Sequence, residues 1–217
     1  MGARTWMIVI SDGDPRQSLA SRPALDRDQT SKVAAALFPK EKLEPLEDSS
    51  LMWTSPPDNE IRIGCFPGMV IVAAEEFVID HPSKIPARFL EYAGSRTVHF
   101  HAMHSVVDWL AFAVWRNGKL ERSLSLSPDD GIVEDIGRRL PFEAPYWDGA
   151  HPAVDPADMD DDEPPYPFPF HPLELGEGVL REFFGYHLEG PVDPSLLDPE
   201  SIPLLCYKRK KSVFKLW

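Results

Sequence analysis

The clearest pattern of hydrophobic and polar positions lies on either side of the dipeptide Asn117-Gly118. Residues 109–115 are apolar on both faces of an extended chain, which is typical of a strand inside a sheet. Residues 120–126 alternate leucine with polar residues, which is typical of a strand with one wetter face. Because Asn and Gly tolerate the positive φ angles of a two-residue hairpin loop, the sequence predicts a β-hairpin here.

The predicted turn determines which residues face each other across the hairpin. On this register Arg122 lies on the same face as Trp109 and Trp115 and is the odd polar member of that face. We expect Trp109, Phe112 and Trp115 to be buried, because both faces of their strand are apolar. The expected pairs are Arg116–Lys119, Trp115–Leu120, Ala113–Arg122, Ala111–Leu124 and Trp109–Leu126.

Periodicity predicts further strands and helices along the chain. Unbroken or alternating apolar runs predict strands at residues 5–10, 43–46, 60–65, 69–74 and 98–101. Helical spacing predicts helices at residues 26–38, 83–93 and 172–184. Residues 16–25 are expected to form a loop, and residues 131–139 a loop or a turn of helix. These elements indicate an α+β fold: one mixed or mostly antiparallel sheet with helices packed on one face, plus a C-terminal Pro/aromatic wrapping segment and helix.

The chain has 217 residues, which is enough for one domain with its own core. We predict an α+β core domain over residues 1–148. Residues 149–217 are predicted to be a C-terminal extension that packs on this core and is not a separate domain. Its helix at residues 172–184 has an apolar stripe that it cannot bury alone. The proline-aromatic run at residues 164–170 is expected to lie along the core as a strap.

The charge of the chain limits its partners. It has 35 acidic and 22 basic residues, a formal net charge of −13. This charge argues against binding to nucleic acid or to an anionic membrane, and it permits cationic protein partners or divalent metals. The basic stretch at residues 207–217 is expected to pair with the acidic surface of its own chain.

The two cysteines, Cys65 and Cys206, are far apart in the sequence and are expected to be reduced thiols. The apolar run at residues 6–10 is too short for a signal peptide, and no stretch has the length of a membrane span. We therefore expect a cytoplasmic protein.

One cluster of candidate metal ligands has the spacing H-x-H-x-x-H-x-x-x-D and consists of His99, His101, His104 and Asp108. Imidazole and carboxylate groups together suit zinc or another transition metal. A shared site requires residues 103–107 to form a tight turn that brings His104 back to the face of His99 and His101. If these residues are extended, His104 points away and the histidines make local hydrogen bonds. We expect the second arrangement, without metal or other cofactor.

Two acidic groups form a second candidate site. Asp12 and Asp14 follow the first predicted strand, as does the D-x-D pair of aspartyl-phosphate phosphotransferases, in which one carboxylate is the nucleophile and the other an acid/base. Asp129, Asp130 and Asp135 follow a later strand and are candidates for the metal-binding acids of such a site. The alternative is turn chemistry, since Asp-Gly-Asp-Pro favours a turn and the chain lacks a clearly placed phosphate-binding Ser, Thr or Lys.

Aromatic residues give weaker candidates for binding. Trp53 is expected to be an anchor on the core, with an exposed contact as the alternative. Tyr146 and Trp147 could line an apolar cleft together with the hairpin tryptophans, but we favour a core role for them. The acidic run at residues 155–163 is expected to be a solvated loop, because it lacks the glycine and final glutamate of a calcium-binding loop.

Four stretches together carry a family resemblance. They are MGARTWMIVISDGD, HFHAMHSVVDWLAFAVWRNGKLERSLSLSPDDGIVEDIG, LPFEAPYW with the acidic and aromatic run after it, and PFHPLELGEGVLREFFG. As a set they resemble an uncharacterised actinobacterial protein family, a domain of unknown function. The resemblance covers about residues 1–190, and the chain after Pro191 departs from it. It implies a compact bacterial cytosolic protein and supplies no activity, cofactor or catalytic residue.

The sequence favours a non-enzymatic cytosolic protein that binds or regulates another protein, for example by neutralising it. The acidity, the proline-aromatic run and the lack of a complete catalytic motif support this expectation. The alternative is a metal-dependent hydrolase or phosphatase that uses the histidine cluster or the two acidic groups. A pocket for a small ligand, lined by the aromatic residues, is a third possibility.

Overall fold

The computed structural model describes residues 2–154, 166–191 and 193–211. Within these residues the chain forms one open sheet of ten strands, in which all of the paired strands run antiparallel. The strands are β1 (Arg4–Ser11), β2 (Glu41–Pro45), β3 (Ser49–Ser50), β4 (Glu60–Phe66), β5 (Met69–Ala74), β6 (Thr97–His104), β7 (Trp109–Arg116), β8 (Lys119–Ser127), β9 (Gly131–Gly137) and β10 (Pro203–Lys211).

Five α-helices accompany the sheet in the described part of the chain. They are α1 (Pro15–Ala20), α2 (Arg27–Leu37), α3 (Ala87–Ala93), α4 (Ala144–Trp147) and α5 (Pro172–Phe184). Short 3-10 helices occur at Leu51–Trp53, Glu75–Phe77, Pro82–Lys84, Pro141–Glu143 and Pro199–Ser201. These elements confirm the predicted α+β class with a mostly antiparallel sheet.

The strand order is β2-β10-β4-β5-β1-β6-β7-β8-β9, with β3 paired to β10. Strand β1 is central and has apolar residues on both faces. Met7 and Val9 point into one hydrophobic core, and Ile8 and Ile10 into a second core on the other side of the sheet. The sheet is therefore the middle layer of three, and its central strands need apolar residues at every position.

The second core is covered by α2 and α3. Val33 and Leu37 of α2 and Phe89 of α3 are buried there, and Asp26 caps α2 by accepting from the N–H of Gln29 at 2.9 Å. These are the two helices that periodicity predicted in the first half of the chain, and they share one face of the sheet. We call this face the α2/α3 face.

The opposite face is covered by α5, by α1 and by the aromatic segment before α5, and we call it the α5 face. The apolar stripe of α5 is buried against β6 and β7, and Phe168 and Phe170 join the same core. Helix α5 lies close to the sheet because it carries Gly176, where a Cβ atom would come within 2.8 Å of Met103 Sδ. The apolar stripe of α5 comprises Leu175, Val179, Leu180, Phe183 and Phe184.

The predicted hairpin forms as β7 and β8, with positive φ at Asn117 and Gly118. Trp109, Phe112 and Trp115 are buried, as predicted. The predicted pairing holds only as far as Trp115–Leu120, because a β-bulge at Glu121 shifts the register.

The bulge moves Arg122 to the other face of the sheet. Arg122 pairs with Val114 and lies in the layer of Phe112 and Leu124, so its predicted place beside the tryptophans was wrong. Its guanidinium is fully buried and forms ion pairs with Glu143 and Asp135. A buried charge requires such partners. Arg122, the charged residue on an otherwise largely apolar face, is therefore held in a network of ion pairs.

Four further segments differ from prediction. Residues 16–25 contain α1, because Asp14 caps the N–H of Arg16 at 2.9 Å and Pro15 is preorganised for the first turn. Residues 131–137 form the edge strand β9. The predicted helix at residues 83–93 is divided at Pro86 into a 3-10 turn and α3. Strand β6 continues to His104, three residues beyond its predicted end.

The basic C-terminal stretch forms β10, which lies between β2 and β4 in the sheet. Arg209 pairs with Glu41 and Glu76, and Lys210 with Glu44 at 2.6 Å. For Arg209 and Lys210 this confirms the expected pairing with the acidic surface of the chain. The rest of the predicted tail, residues 212–217, lies outside the described residues, as does the acidic run at residues 155–163.

Candidate functional site

The histidines of the predicted metal cluster lie on two faces of the sheet. His99 and His101 are on the α5 face, where His101 is fully buried with Nε2 3.1 Å from the carbonyl oxygen of Gly176. His104 is on the α2/α3 face, where its ring stacks on Trp6 with centroids 6.4 Å apart. Because β6 stays extended through His104, the odd and even positions diverge and the three imidazoles do not converge.

Asp108, the fourth member of that cluster, lies in the turn between β6 and β7 with φ of +47°. Its carboxylate is 3.6 Å from Nε2 of His171, directly before α5. Across the residues that the structure describes, no group of three or more His, Cys, Asp or Glu side chains is arranged to hold a metal ion.

The two predicted acidic groups lie at opposite ends of the strands. Asp12 and Asp14 follow β1 at the end where Ser11 pairs with Thr97. Asp129 and Asp130 follow β8, at the end where His104 pairs with Trp109. The eight residues from Thr97 to His104 span roughly 23 Å, at about 3.3 Å for each of the steps between them, so the two groups do not share a site. Asp135 is paired with buried Arg122, which gives it a structural role.

The aromatic candidates have different environments. Trp53 is 45% exposed, so the prediction that it anchors on the core was wrong; its backbone carbonyl, and not its ring, is held in place, by Arg62. Tyr146 is buried in the core on the α5 face. Trp147 packs edge-on against Phe170, with ring centroids 4.8 Å apart, and beneath the guanidinium of Arg139 at 3.8 Å. Tyr146 and Trp147 therefore have core roles.

Members of the two predicted clusters meet in a groove at one end of the sheet, which we call the Trp109 groove. It encloses about 350 Å³. Val78 and Val107 lie on it, each 51% exposed, and the indole of Trp109 is nearly buried in it. The full lining is Val78, Asp80, His104, Val107, Trp109, Ser127, Asp129 and Asp130.

The Trp109 groove is negatively charged. Asp80, Asp129 and Asp130 contribute carboxylates, and no lysine or arginine is among the described residues that line it. Partial burial, reinforced by Arg4, lowers the pKa of His104, so its imidazole is neutral at pH 7 and offsets none of this charge. Asp130 is fixed by the hydroxyl of Ser127, which donates to its Oδ2 at 2.9 Å.

A second cleft lies at the opposite end of the strands, and we call it the His99 cleft. It encloses about 430 Å³ between β6, β7, α5 and the segment before α4. His99 is 6% exposed, and its buried Nδ1 has no hydrogen-bond partner among the described residues. The lining is Gly13, Asp14, Pro15, Thr97, His99, Arg116, Leu140, Pro141, Phe142, Glu182 and Phe183.

The imidazole of His99 is neutral at physiological pH. Burial, reinforced by the positive charge of Arg116, lowers its pKa to about 4, and the carboxylate of Asp14 opposes this shift. The ring packs against Phe183 with centroids 4.7 Å apart. The cleft thus brings together Asp14 and His99, which the sequence placed in two unrelated clusters.

A third polar cluster has a structural role. The carboxylate of Glu134 on the edge strand β9 accepts from the hydroxyl and the N–H of Ser83 at 2.6 and 3.0 Å, and from the hydroxyl of Ser123. Despite burial, these hydrogen bonds lower the pKa of Glu134. The cluster attaches the 3-10 turn Pro82–Lys84 to the edge of the sheet.

Sequence reasoning missed both grooves because each combines distant segments. One local signal was present for the Trp109 groove: two valines, Val106 and Val107, occupy a tight turn where polar residues are usual. The His99 cleft could not be predicted in this way, because Arg116 and Glu182 come to line it only when α5 packs on the sheet.

Comparison with known proteins identifies the family of this chain but gives no activity for it. The chain matches no curated protein and no solved structure. Residues 5–207 match the model of a family of unknown function, DUF6928. This match extends beyond Pro191, so the expected departure of the C-terminal segment from the family was wrong as far as Tyr207. The chain belongs to the DUF6928 family.

Proposed function

We propose that this protein binds another protein through the Trp109 groove and that the partner is basic. The observation that carries the proposal is the combination of half-exposed Val78 and Val107 with an all-acidic set of charges on one groove. Covering the valines and the indole of Trp109 would provide the apolar contact of an interface. The carboxylates would select lysine or arginine at its rim.

The groove sets limits on the partner segment. About 350 Å³ suits one apolar side chain of the partner, packed against Trp109 between the two valines. A lysine or arginine next to that side chain would face Asp129 and Asp80. The net charge of −13 would also speed the encounter with a basic protein, most strongly at low salt.

The proposal places the protein in the cytoplasm as a regulator that neutralises or holds its partner. Cys65 and Cys206 are both free and buried, and burial raises the pKa of both thiols, as fits structural cysteines in a reducing compartment. In the described part of the chain, no helix has the length and hydrophobicity that a membrane span requires. The resemblance given above points to actinobacterial cells as the place to look for the partner.

The test compares binding by matched variants. The immobilised protein is incubated with actinobacterial extract, the retained proteins are identified, and the affinity of the purified partner is measured by calorimetry. Val107→Lys places a cation within the groove, whereas Val106→Lys changes a more exposed neighbour (69%) that does not line it. Asp129→Asn removes one carboxylate and leaves Asp130, which holds the turn, in place.

We expect Val107→Lys to weaken binding at least about tenfold and Asp129→Asn to reduce its salt dependence, while Val106→Lys binds as wild type does. A partner that is acidic, or one that binds all three variants with equal affinity, would contradict the proposal. Circular dichroism and melting of each variant ensure that a loss of binding is not a loss of fold.

A further inference from the structure

The His99 cleft has the chemical features of a small-molecule site that is separate from the Trp109 groove. The described residues that line the cleft include one cation, Arg116, and two carboxylates, Asp14 and Glu182. Its apolar wall includes Phe142 and Phe183, whose rings meet edge to face with centroids 5.5 Å apart. Cation, anions and aromatic wall all line the same cleft.

His99 lies in this cleft with unused hydrogen-bonding capacity. A neutral imidazole has one donor and one acceptor nitrogen. The imidazole of His99 forms no hydrogen bond with the described residues, and its Nδ1 is buried. Leaving a buried polar atom without a partner is unfavourable by about 1–3 kcal/mol, and such atoms recur where a ligand is bound. His101, two positions along the same strand face, likewise has a buried Nδ1 without a partner, but its Nε2 lies 3.1 Å from the carbonyl oxygen of Gly176. The imidazole of His99 differs in that neither of its nitrogens has a hydrogen-bond partner among the described residues.

The charged groups have capacity beyond their contacts within the protein. Arg116 is half-exposed and uses Nη1 to donate to Glu121 at 2.6 Å, which leaves other N–H donors of its guanidinium for a ligand. Asp14 accepts from the N–H of Arg16 through Oδ1, and a carboxylate can accept further bonds. Glu182 is 4.0 Å from Arg16, the outer limit of an ion pair.

We propose that the His99 cleft binds a small zwitterion with an apolar body, of the chemical class of a free amino acid with an aromatic or large aliphatic side chain. The carboxylate of the ligand pairs with Arg116, and its ammonium pairs with Asp14 or Glu182. Its side chain packs on Phe142 and Phe183, and His99 supplies a hydrogen bond from the cleft wall. A purely anionic ligand would face two carboxylates, and a purely cationic one would face Arg116, so only a zwitterion satisfies both signs of charge.

The experiment uses three probes that differ by one charged group. L-phenylalanine carries both charges, phenylacetate lacks the ammonium, and phenethylamine lacks the carboxylate. Each is titrated into the full chain by calorimetry, and the imidazole ¹⁵N resonances of His99 are followed by NMR. We expect L-phenylalanine to bind at least about tenfold more tightly than either of the other probes and to shift the His99 resonances.

Variants separate this site from nonspecific binding. Arg116→Gln should weaken binding of L-phenylalanine at least about tenfold, because the contact with its carboxylate is lost. Binding of phenethylamine, which has no carboxylate and is repelled by Arg116, should not weaken. The matched control is Arg27→Gln, which removes another exposed arginine that pairs with an aspartate, Asp48, and does not line the cleft. Four results would each overturn the proposal. They are no binding at millimolar probe, equal affinity for all three probes, unshifted His99 resonances, and an Arg116→Gln variant that still binds L-phenylalanine as wild type does.

Discussion

Replacing Glu143 by Leu removes the main partner of a fully buried cation. Arg122 is 0% exposed, and its Nε and Nη2 donate to the two carboxylate oxygens of Glu143 at 2.8 and 2.7 Å. Glu143 is also 0% exposed and accepts from the N–H of Leu140 at 2.7 Å. The substitution therefore removes the acceptor of Nε and Nη2 of the buried guanidinium and of the partly buried N–H of Leu140.

The magnitude follows from what remains around Arg122. Removing one member of a buried ion pair typically destabilises by about 3–5 kcal/mol. Arg122 keeps Asp135 and the carbonyl oxygens of Ser123 and Ile136, so we expect the lower end, about 3 kcal/mol. For a chain of this length that corresponds to a fall in Tm of about 6–12 °C. The double variant Arg122→Met/Glu143→Leu replaces the pair by apolar volume and should recover most of the loss.

Urea unfolding measured by fluorescence gives the free energy of unfolding of each variant. The control is Glu121→Gln on the same hairpin, which breaks the exposed pair with Arg116 and should change stability by less than about 1 kcal/mol. If Glu143→Leu lowers the free energy of unfolding no more than this control does, the buried pair does not have the electrostatic role assigned to it. If the double variant loses as much free energy of unfolding as the two single variants lose together, the loss in Glu143→Leu does not come from an unpaired charge.

Three further predictions concern stability. Trp115→Ala should lower the free energy of unfolding by about 3–5 kcal/mol in urea titrations, because the ring is 3% exposed in the core on the α2/α3 face, and a loss below about 1 kcal/mol would contradict that role. Burial raises the pKa of Glu177 to about 7. Hydrogen bonds from the N–H groups of Leu188 and Glu189 favour the charged form and oppose this shift without cancelling it. The native state therefore loses stability as pH rises from about 4.5 through 7, by up to about 3 kcal/mol, and Glu177→Gln should remove this dependence; parallel pH profiles of both proteins would refute it. A fragment of residues 1–148 should not fold, because it lacks β10 and α5; a cooperative melt of the fragment would show otherwise.

Elements whose hydrophobic pattern is local were predictable from the sequence. The Asn117-Gly118 turn, the central strand β1 and helices α2 and α5 all follow from periodicity and from capping residues within each segment. The buried hairpin tryptophans follow in the same way, since a strand that is apolar on both faces belongs inside a sheet.

Features that depend on packing between distant segments were not predictable. The bulge at Glu121 reverses the face of Arg122, and it makes sense only with Glu143 and Asp135 in place as partners. The basic stretch was expected to pair with the acidic surface of its own chain, but its position as strand β10 between β2 and β4 was not predicted. That position depends on distant acids, Glu41 and Glu76, which pair with Arg209.

The candidate sites failed for a related reason. A shared metal site required a tight turn at residues 103–107, but β6 stays extended through His104. His104 therefore lies on the face opposite His99, which is the arrangement expected from the sequence. The groups then recombined: His104 joined Asp129 and Asp130 in one groove, and His99 joined Asp14 in the other.

The most direct test of the proposed function is a hydrogen-exchange footprint of the complex with the captured basic partner. The amides of residues 105–108 and of Asp129 and Asp130 lie in turns that flank the Trp109 groove, and exchange there is not limited by the strands of the sheet. We predict that partner binding slows exchange in both turns and leaves the hairpin turn at Asn117-Gly118, at the other end of the sheet, unchanged. Protection confined to the hairpin turn, or absent from both groove turns, would contradict the account.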